Sequence, residues 1–261
     1  MESGTRLRRG KEGGALRGHI DSLVAVAFIV ALWKIASLGV GLAIILPSPE
    51  QVVSAIAGIA STRRFAAAVC ATALRGLSAF GISMILGLAS GLASGASRRI
   101  EGFLAPGLTV IRATPVLAVI LIALIWFPAG FVPVFSAVVM AFPVVTADVA
   151  AGVRSTDQRL IEMARSFGVS RGQSLVRVRL PSAMPHVVSA ARNAIGLCWK
   201  VVIAGEVLSQ PLDAIGTGMQ GARIMLETAE VFAWAAVGIV LCALSDGLFG
   251  IMARRLAWPT K

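Results

Sequence analysis

Tyrosine is absent from this 261-residue sequence, and aromatic residues of all kinds amount to only 6%. Charged side chains are also scarce, at 14%, whereas 57% of the residues are hydrophobic. A soluble domain of this length needs a larger polar surface than that. The shortage of aromatic residues also argues against a porin-like barrel, whose girdles are rich in them. The composition therefore predicts an all-α, polytopic membrane protein.

Signals for a metal site, a cofactor or catalysis are missing as well. Cys70, Cys198 and Cys242 all lie within apolar segments, where we expect small buried residues and no disulfide framework. No phosphate-binding loop of the form G-x-x-x-x-G-K-[ST] occurs, so we expect no cofactor in this chain and no ATP hydrolysis by it. The sequence GTGMQG at 216–221 matches a dinucleotide fingerprint, but without a strand–helix–strand context it is interpreted as a loop-shaping element.

Six apolar segments are long enough to cross a bilayer, which takes about 20 helical residues. They are predicted to cover residues 22–46, 66–95, 103–127, 132–152, 186–208 and 229–251. Pro115 predicts an irregularity within the third segment, and residues 49–60 predict a short amphipathic helix on the membrane surface. Residues 1–20 form a basic tail, so residues 21–261 are predicted to be a single transmembrane domain.

Lysine and arginine are unequally distributed between the two sides that six spans define. One side collects the basic residues of the tail, Arg98, Arg99, the arginines from 154 to 179, Arg254, Arg255 and Lys261, whereas the other holds Arg63, Arg64 and Arg223. Such an excess marks the cytoplasmic side, so both termini and the loop between spans four and five are expected there. The net charge of +11 is therefore interpreted as a topology signal and not as nucleic-acid binding.

Within the spans, glycines and charges each allow two interpretations. Gly87, Gly91 and Gly95 recur every four residues, which either lets another helix approach closely or reflects the ordinary glycine content of membrane helices. Arg112, Lys200 and Glu206 stand out among the intramembrane charges, which are expensive in lipid. They either line a path suited to an anionic substrate or form ion pairs that assemble the bundle.

The polar stretch of residues 153–184, here called the central segment, interrupts the apolar spans. Ser155 with Gln158, and Ser170 with Gln173, are each spaced as a capping box that starts a helix. Gly168 is placed to end the first helix in a left-handed turn, and Pro181 to stop the second. The first helix has one apolar face, formed by Leu160, Ile161, Ala164 and Phe167. The pattern favours a docking element for a cytoplasmic partner over a solvated loop that only sets topology.

The sequence EMARSFGVSRGQSLVRVRLP at 162–181 resembles the EAA signature of binding-protein-dependent ABC importer permeases, E-A-A-x3-G-x9-I-x-L-P. Glu162, Ala164, Gly168, Leu180 and Pro181 match that signature at its spacing. Met163 stands where the family has alanine and Val178 where it has isoleucine, and both departures are mild. LPSPEQV at 46–52, IRATPVLAV at 111–119 and RRLAW at 254–258 resemble the nitrate, sulfonate and taurine branch, so the likeness extends along nearly the whole chain.

The resemblance implies a type I importer fold in the bacterial cytoplasmic (inner) membrane. It implies that the central segment couples the chain to an ABC ATPase, two copies of which bind the ATP, through Glu162, Met163, Ala164, Phe167, Gly168, Val178, Leu180 and Pro181. A second permease copy, a periplasmic or lipid-anchored substrate-binding protein and membrane lipids are the other implied partners. The implied substrate is a small anion of the sulfonate, taurine or nitrate type, with a pyrimidine-type vitamin precursor as the alternative.

Two other classes of membrane protein fit the composition. A secondary transporter would work without an ATPase and predicts internal repeats, of which the sequence shows no clear sign. A membrane anchor or sensor subunit would have no transport to lose when Glu162 is changed. The match at 162–181 argues against both classes.

Overall fold

The computed structural model describes the backbone of residues 3–256 and the side chains of residue 21, residues 23–170 and residues 172–250. Within that part the chain is helical with short connections and contains no strand, as predicted for an all-α protein. The helices are α1 (Ser3–Val40), α2 (Pro49–Ala60), α3 (Arg63–Ala96), α4 (Arg98–Ala113), α5 (Val116–Trp126), α6 (Val132–Arg154), α7 (Gln158–Ser166), α8 (Arg171–Ser174), α9 (Leu180–Ser209), α10 (Ile215–Ile224) and α11 (Thr228–Leu256), and a π-helical turn, Leu175–Arg179, joins α8 to α9. The side chains of residues 1–20, Arg254, Arg255 and Lys261, and with them the RRLAW motif, lie outside the described residues.

Six candidate membrane spans emerge once one broken span is counted. In the described part of the chain, α1, α3, α6, α9 and α11 are each long and apolar enough to cross a bilayer. Helices α4 and α5 pass the same test together but are bent by 98° at the break between them. Thr114 is extended there, with ψ 126°, because the proline that follows disfavours the helical conformation. The irregularity predicted at Pro115 is therefore confirmed.

The N-terminal region differs from its prediction at both of its boundaries. One helix, α1, runs from Ser3 to Val40, so the predicted tail and first span are one continuous element. The span also ends about six residues earlier than predicted, at Gly41, which has a φ of +67°. Residues up to Pro47 fold back instead, and the Trp33 indole N–H donates to the Pro47 carbonyl at 3.0 Å. Helix α2 begins at Pro49 behind a complete capping box, as predicted for residues 49–60.

Helices α3, α6 and α9 form the core of the bundle, and glycines hold α3 against α6. A Cβ at Gly87, Gly91 or Gly95 would lie 2.5–2.7 Å from the Cβ of Val145, Val149 or Val153, respectively. No larger residue fits that space, so the α3 ridge is a surface of close helix approach. Alanines and valines of α6 and α9, among them Ala141, Ala190 and Val202, are fully buried behind it.

The helical segment that contains α9 is longer than the span predicted for it. Its apolar span was predicted to begin at residue 186, but α9 begins at Leu180, and together with the π-helical turn and α8 it forms a helical segment of 38 residues, Gly172–Ser209, without a break. At 1.5 Å per residue that is about 57 Å, against a hydrocarbon core of about 30 Å. One end therefore extends out of the membrane. The predicted loop 209–228 also contains a helix, α10.

Candidate functional site

The first helix of the central segment is α7, and its start differs from the predicted capping box. The Ser155 hydroxyl donates to the Gly152 carbonyl at 2.9 Å and so closes α6. The carboxylate of Asp157 instead accepts from the Arg159 N–H at 2.9 Å and caps α7. The box predicted at Ser155 and Gln158 was wrong because Asp157, nearer the helix start, is an equally strong cap residue.

The end of α7 confirms the glycine turn that the sequence predicts. Gly168 has a φ of +74°. Its N–H donates to the Arg165 carbonyl at 2.9 Å, and the Val169 N–H donates to the Ala164 carbonyl at 3.0 Å. This pair of bonds is a Schellman motif, which satisfies carbonyls that the helix end leaves free. The direction of the chain after α7 is therefore fixed by backbone hydrogen bonds.

The second capping box is confirmed, but the predicted helix stop is not. The Ser170 N–H donates to Gln173 Oε1 at 3.2 Å, and the Gln173 N–H donates to Ser170 Oγ at 3.3 Å. Pro181 was predicted to end this helix, yet it lies in the first turn of α9. The preceding turn widens into a π-helical one, with the Leu180 N–H bonded to the Leu175 carbonyl. Such a bulge accommodates the proline ring, so the helix continues.

The side chains of α7 divide into a buried and an exposed apolar set. Ile161 and Ala164 are buried, each 6% exposed. Leu160, Met163 and Phe167, at positions i, i+3 and i+7, are 41%, 53% and 81% exposed. The single apolar face predicted from Leu160, Ile161, Ala164 and Phe167 is therefore two faces, of which only one is covered by this chain.

The other residues of the signature surround that exposed face or lead away from it. Glu162 and Pro181 are exposed, whereas Val178 and Leu180 are half-buried at the junction with α9. The exposed face with Glu162 is here called the α7 face (Leu160, Glu162, Met163 and Phe167), and the end of the bundle that carries it is called the α7 end.

At the opposite end of the bundle, Glu206 lies in a saturated polar cluster. The Glu206 carboxylate is 0% exposed and accepts from Arg75 Nη1 at 2.9 Å, from the Thr72 hydroxyl at 2.9 Å and from the Gly216 N–H at 3.1 Å. Arg75 also donates to the carbonyls of Leu212 and Asp213, at 3.3 and 3.2 Å. These contacts join α3, α9 and the start of α10. They correspond to the ion-pairing interpretation of the intramembrane charges.

Arg75 and Thr72 are the partners that the sequence interpretation did not select. Their signal was present, because an arginine and a glutamate in different spans are each costly in lipid unless they meet. Arg75 and Glu206 are 131 residues apart, however, and only the packing of α3 against α9 brings them together.

Lys200 belongs to a polar face along α9. Between positions 186 and 207, every exposed residue of this helix is polar: His186, Ser189, Arg192, Asn193 and Lys200. Asn193 donates to the Asp148 carboxylate on α6 at 3.3 Å. By contrast, the exposed residues of α1 from Leu23 to Leu32 are all apolar. A polar helix face at membrane depth meets protein or water and not lipid.

Arg112 lies apart from the α9 face, near the end of α4. Its Nη2 donates to the Pro143 carbonyl at 2.7 Å, in the middle of α6. The structure therefore does not bring Arg112, Lys200 and Glu206 together, and each of the three has its own surroundings.

The glycines of GTGMQG serve packing in α10. A Cβ at Gly216 would lie 2.5 Å from the Cβ of Glu206, and one at Gly218 would lie 2.5 Å from the Trp234 ring. Both glycines are helical and lack the strand that a dinucleotide site requires. Their place in a helix differs from the predicted loop.

Comparisons of sequence confirm the family that the sequence resembles. The family described as binding-protein-dependent transport system inner membrane component matches residues 83–258. A candidate aliphatic sulfonates transport permease protein of Escherichia coli (strain K12) is 35% identical over 231 residues, which are 87% of this chain and 86% of that protein. The taurine transport system permease protein of the same strain is 31% identical over 87% of this chain and 84% of its own length.

A solved structure shares the fold. The MetNI methionine ABC transporter in its inward facing conformations has a chain that matches with a TM-score of 0.62, covering 74% of this chain and 94% of that one. The sequence identity is 15%, so this likeness establishes the arrangement of helices and nothing finer.

Proposed function

The chain belongs to the family of binding-protein-dependent transport system inner membrane components and is a permease of an ABC importer, and from that premise we propose that its α7 face docks on a separate ATPase subunit. We further propose that the substrate is a small anion. The permease is not itself an enzyme, and ATP is bound and hydrolysed by the ATPase partner.

The α7 face is the observation that carries the docking proposal. Three apolar side chains are exposed, Leu160 and Met163 on the nine-residue helix α7 and Phe167 at its C-cap, and the helix is capped at both ends. Exposing them to water is unfavourable, and a monomeric protein rarely keeps such a patch unless a partner covers it. Asp157 and the Gly168 turn hold the helix in one position, so it transmits a displacement from a partner to α9.

The central segment is placed to pass that displacement into the membrane. It lies between α6 and α9, two of the three helices that form the bundle core. When two ATPase subunits close on ATP, the docked segment moves with them and α9 follows as a continuous helix. Residues 21–261 form the permease domain in this proposal, and residues 153–184 are its coupling loop.

The substrate path is proposed to follow the polar face of α9, with Lys200 as its cation, and Arg112, the other predicted cation of the path, lies apart from that face near the end of α4. Both residues are exposed, and neither has a salt-bridge partner in the described part of the chain. Cations on a water-filled path favour an anion, which fits relatives named for taurine and sulfonates. Glu206 was the third predicted path residue, and we assign it to the closed cluster with Arg75. A pyrimidine-type vitamin precursor is the alternative substrate.

The assembly is proposed to contain two permease copies, two ATPase subunits and a periplasmic or lipid-anchored binding protein in the inner membrane. The side with the most arginines is the α7 end, so both termini are proposed to be cytoplasmic. A second copy is needed because one chain leaves the polar face of α9 exposed. A secondary transporter would require no docking element, which disfavours that alternative.

Co-purification tests the proposal. The chain is expressed with the ATPase encoded beside it, as the native sequence and as Glu162→Lys. We expect the ATPase to co-purify with the native chain and to be lost with Glu162→Lys, because the charge is reversed within the α7 face. Glu227→Lys is the matched control, since Glu227 is also exposed but follows α10 at the other end of the bundle.

The control should retain the ATPase at the native level. If the well-folded native chain never retains an ATPase, the docking proposal fails and the secondary transporter becomes the leading alternative. If Glu162→Lys and Glu227→Lys lose it equally, the effect is not specific to the α7 face.

A further inference from the structure

A cavity of about 210 Å³ lies between α4 and α6, against the end of α3. Its polar lining consists of Ser94, Glu101, Thr109, Arg112, Thr146 and Arg154. At one end Arg154 Nη1 donates to Glu101 Oε1 at 2.7 Å, and at the other Arg112 Nη2 donates to the Pro143 carbonyl at 2.7 Å. Two guanidinium groups and one carboxylate therefore line the cavity, with a net charge of one positive.

Arg112 is the cation whose N–H donors are mostly without a partner in the described part of the chain. A guanidinium has five N–H donors, and in the described part of the chain that of Arg112 uses one, on the Pro143 carbonyl. That bond fixes the position of the group without neutralising its charge. Arg154, by contrast, is already paired with Glu101. A guanidinium held in this way suits an oxyanion, whose oxygens accept two parallel N–H bonds.

The hydroxyl groups of the lining lead to the same conclusion. Thr109 donates to the Ala105 carbonyl at 2.8 Å, and the Thr146 hydroxyl lies 2.8 Å from both the Phe142 carbonyl and the Ser90 hydroxyl, so both hydroxyl groups already have partners within the protein. Ser94 is 4% exposed, and its hydroxyl has no partner in the described part of the chain. A buried donor without a partner is unfavourable, and a ligand oxygen in the cavity would satisfy it.

The depth of Arg112 in the bundle distinguishes between two possible ligands, a lipid phosphate and a small dissolved anion. Pro143 lies 11 residues before Arg154, the last residue of α6. Arg112 is therefore about 16 Å from the α7 end of α6, measured along the helix. A lipid phosphate remains at the membrane surface, whereas a small dissolved anion can travel that distance. The volume is below the roughly 300–1,000 Å³ of pockets that enclose drug-sized ligands, so the ligand is small.

We propose that this cavity is a binding site for a small free oxyanion, such as a sulfonate, held by Arg112 and Ser94. The identification of that anion with the transported substrate rests on the proposed function, but binding at the site does not. It is measured on the permease alone, so failure of the co-purification experiment would leave this proposal standing, and the reverse also holds.

Calorimetric titration of the purified full chain with ethanesulfonate tests the site. The protein is placed in nanodiscs of neutral phosphatidylcholine, and thermal unfolding confirms that each variant is folded. We expect saturable binding to the native chain, a loss of at least about tenfold in affinity with Arg112→Gln, and a loss of a few fold with Ser94→Ala. Ala147→Leu fills the cavity without changing a charge and should also abolish binding, because Ala147 lines it.

Arg192→Gln is the matched control. Arg192 is an exposed arginine on α9 whose guanidinium lies over Gly250, away from the cavity, so its loss should leave affinity unchanged. No binding to the native chain, or equal losses with Arg112→Gln and Arg192→Gln, would overturn the proposal. If Arg112→Gln does not fold, Ala147→Leu decides between the same outcomes.

A second set of nanodiscs distinguishes a lipid headgroup from a free anion. These nanodiscs contain phosphatidylglycerol at the density of an anionic membrane. We expect ethanesulfonate to bind equally well in both kinds of nanodisc. If phosphatidylglycerol displaces it competitively, the occupant is a lipid headgroup and the free-anion assignment is wrong.

Discussion

The two ends of α9 differ in whether this chain satisfies and covers the side chains around them. At one end Glu206 is fully buried, and its carboxylate is held by Arg75, Thr72 and the Gly216 N–H. At the other end the helix begins in a widened turn beside Pro181 and is preceded by the α7 face, which leaves Phe167 81% exposed. The first end has its polar groups satisfied within the chain, whereas the second leaves apolar groups uncovered.

This difference predicts that the Glu206 end contributes mainly to stability and the α7 end mainly to coupling. A buried and fully hydrogen-bonded carboxylate is costly to disturb, so the Glu206 end holds α3, α9 and α10 in one arrangement. In the proposed function, the α7 end depends on the ATPase to cover its surface and therefore responds to that partner. A helix anchored at one end and exposed at the other transmits motion from the exposed end. Substitutions at the two ends should accordingly fail in different ways.

The largest effect is expected from Glu206→Ala. It leaves Arg75, whose side chain is 16% exposed, without its carboxylate, and it also removes the acceptor for Thr72 and for the Gly216 N–H. Removing one partner of a buried pair costs about 3–5 kcal/mol. We expect a loss of that size in the free energy of unfolding of the purified permease, measured by denaturant titration in detergent.

Glu206→Gln provides the control for charge against hydrogen bonding. It keeps an acceptor oxygen for Thr72 and for the Gly216 N–H and should lose less stability than Glu206→Ala. Equal stability of the native chain and Glu206→Ala would mean that this end of α9 is not the anchor, and the contrast between the ends would not hold.

A smaller loss of stability with a larger loss of function is expected from Gly168→Val. The φ of +74° at Gly168 is strained for a β-branched residue, while no atom lies within 4 Å of a Cβ placed there. The left-handed conformation costs about 1–2 kcal/mol for a residue with a Cβ, so the turn after α7 distorts. We expect the protein to remain in the membrane while ATP-dependent uptake of the radiolabelled substrate into reconstituted vesicles is lost.

Gly168→Asn is the matched variant, since asparagine tolerates the left-handed region. It should retain most of the uptake. Normal uptake by Gly168→Val would count against a fixed turn as the element that couples α7 to α9.

The spans and the central segment were predictable because their signals are local. Apolar length alone located six spans, and Pro115 located the bend of the third. The Gly168 turn and the Ser170 capping box followed from residues a few positions apart. The first capping box was misassigned because Ser155 and Asp157 compete for the same role, and both in fact cap helices.

Features that depend on pairs of distant residues were not predictable in the same way. The sequence left two meanings for the intramembrane charges, and only packing shows that Glu206 meets Arg75 while Lys200 stays exposed on α9. The continuation of α9 past Pro181 was missed as well. A proline usually ends a helix, but a π-helical turn before it removes the clash, and nothing in the local pattern marks that turn.

The smallest effect is expected from the exposed pair of Lys34 and Glu50, which tests whether burial or position explains the anchor. Lys34 Nζ donates to Glu50 Oε2 at 2.8 Å, joining α1 to α2, and α2 packs with Ile215 near the Glu206 end. The hydrogen bond from Lys34 is the largest cause that lowers the pKa of Glu50 from 4.5 to about 2. Because the pKa in the folded state is lowered, the contribution of the pair to stability is complete above about pH 4.5 and disappears as the pH falls towards 2.

Glu50→Gln should therefore lower the unfolding temperature only slightly at pH 7, since exposed pairs contribute little. The difference in unfolding temperature from the native chain should narrow between pH 4.5 and the lowest pH at which both remain folded. A difference as large as that of Glu206→Ala, or one independent of pH, would show that position at this end of the bundle, and not burial, determines the strength of the anchor.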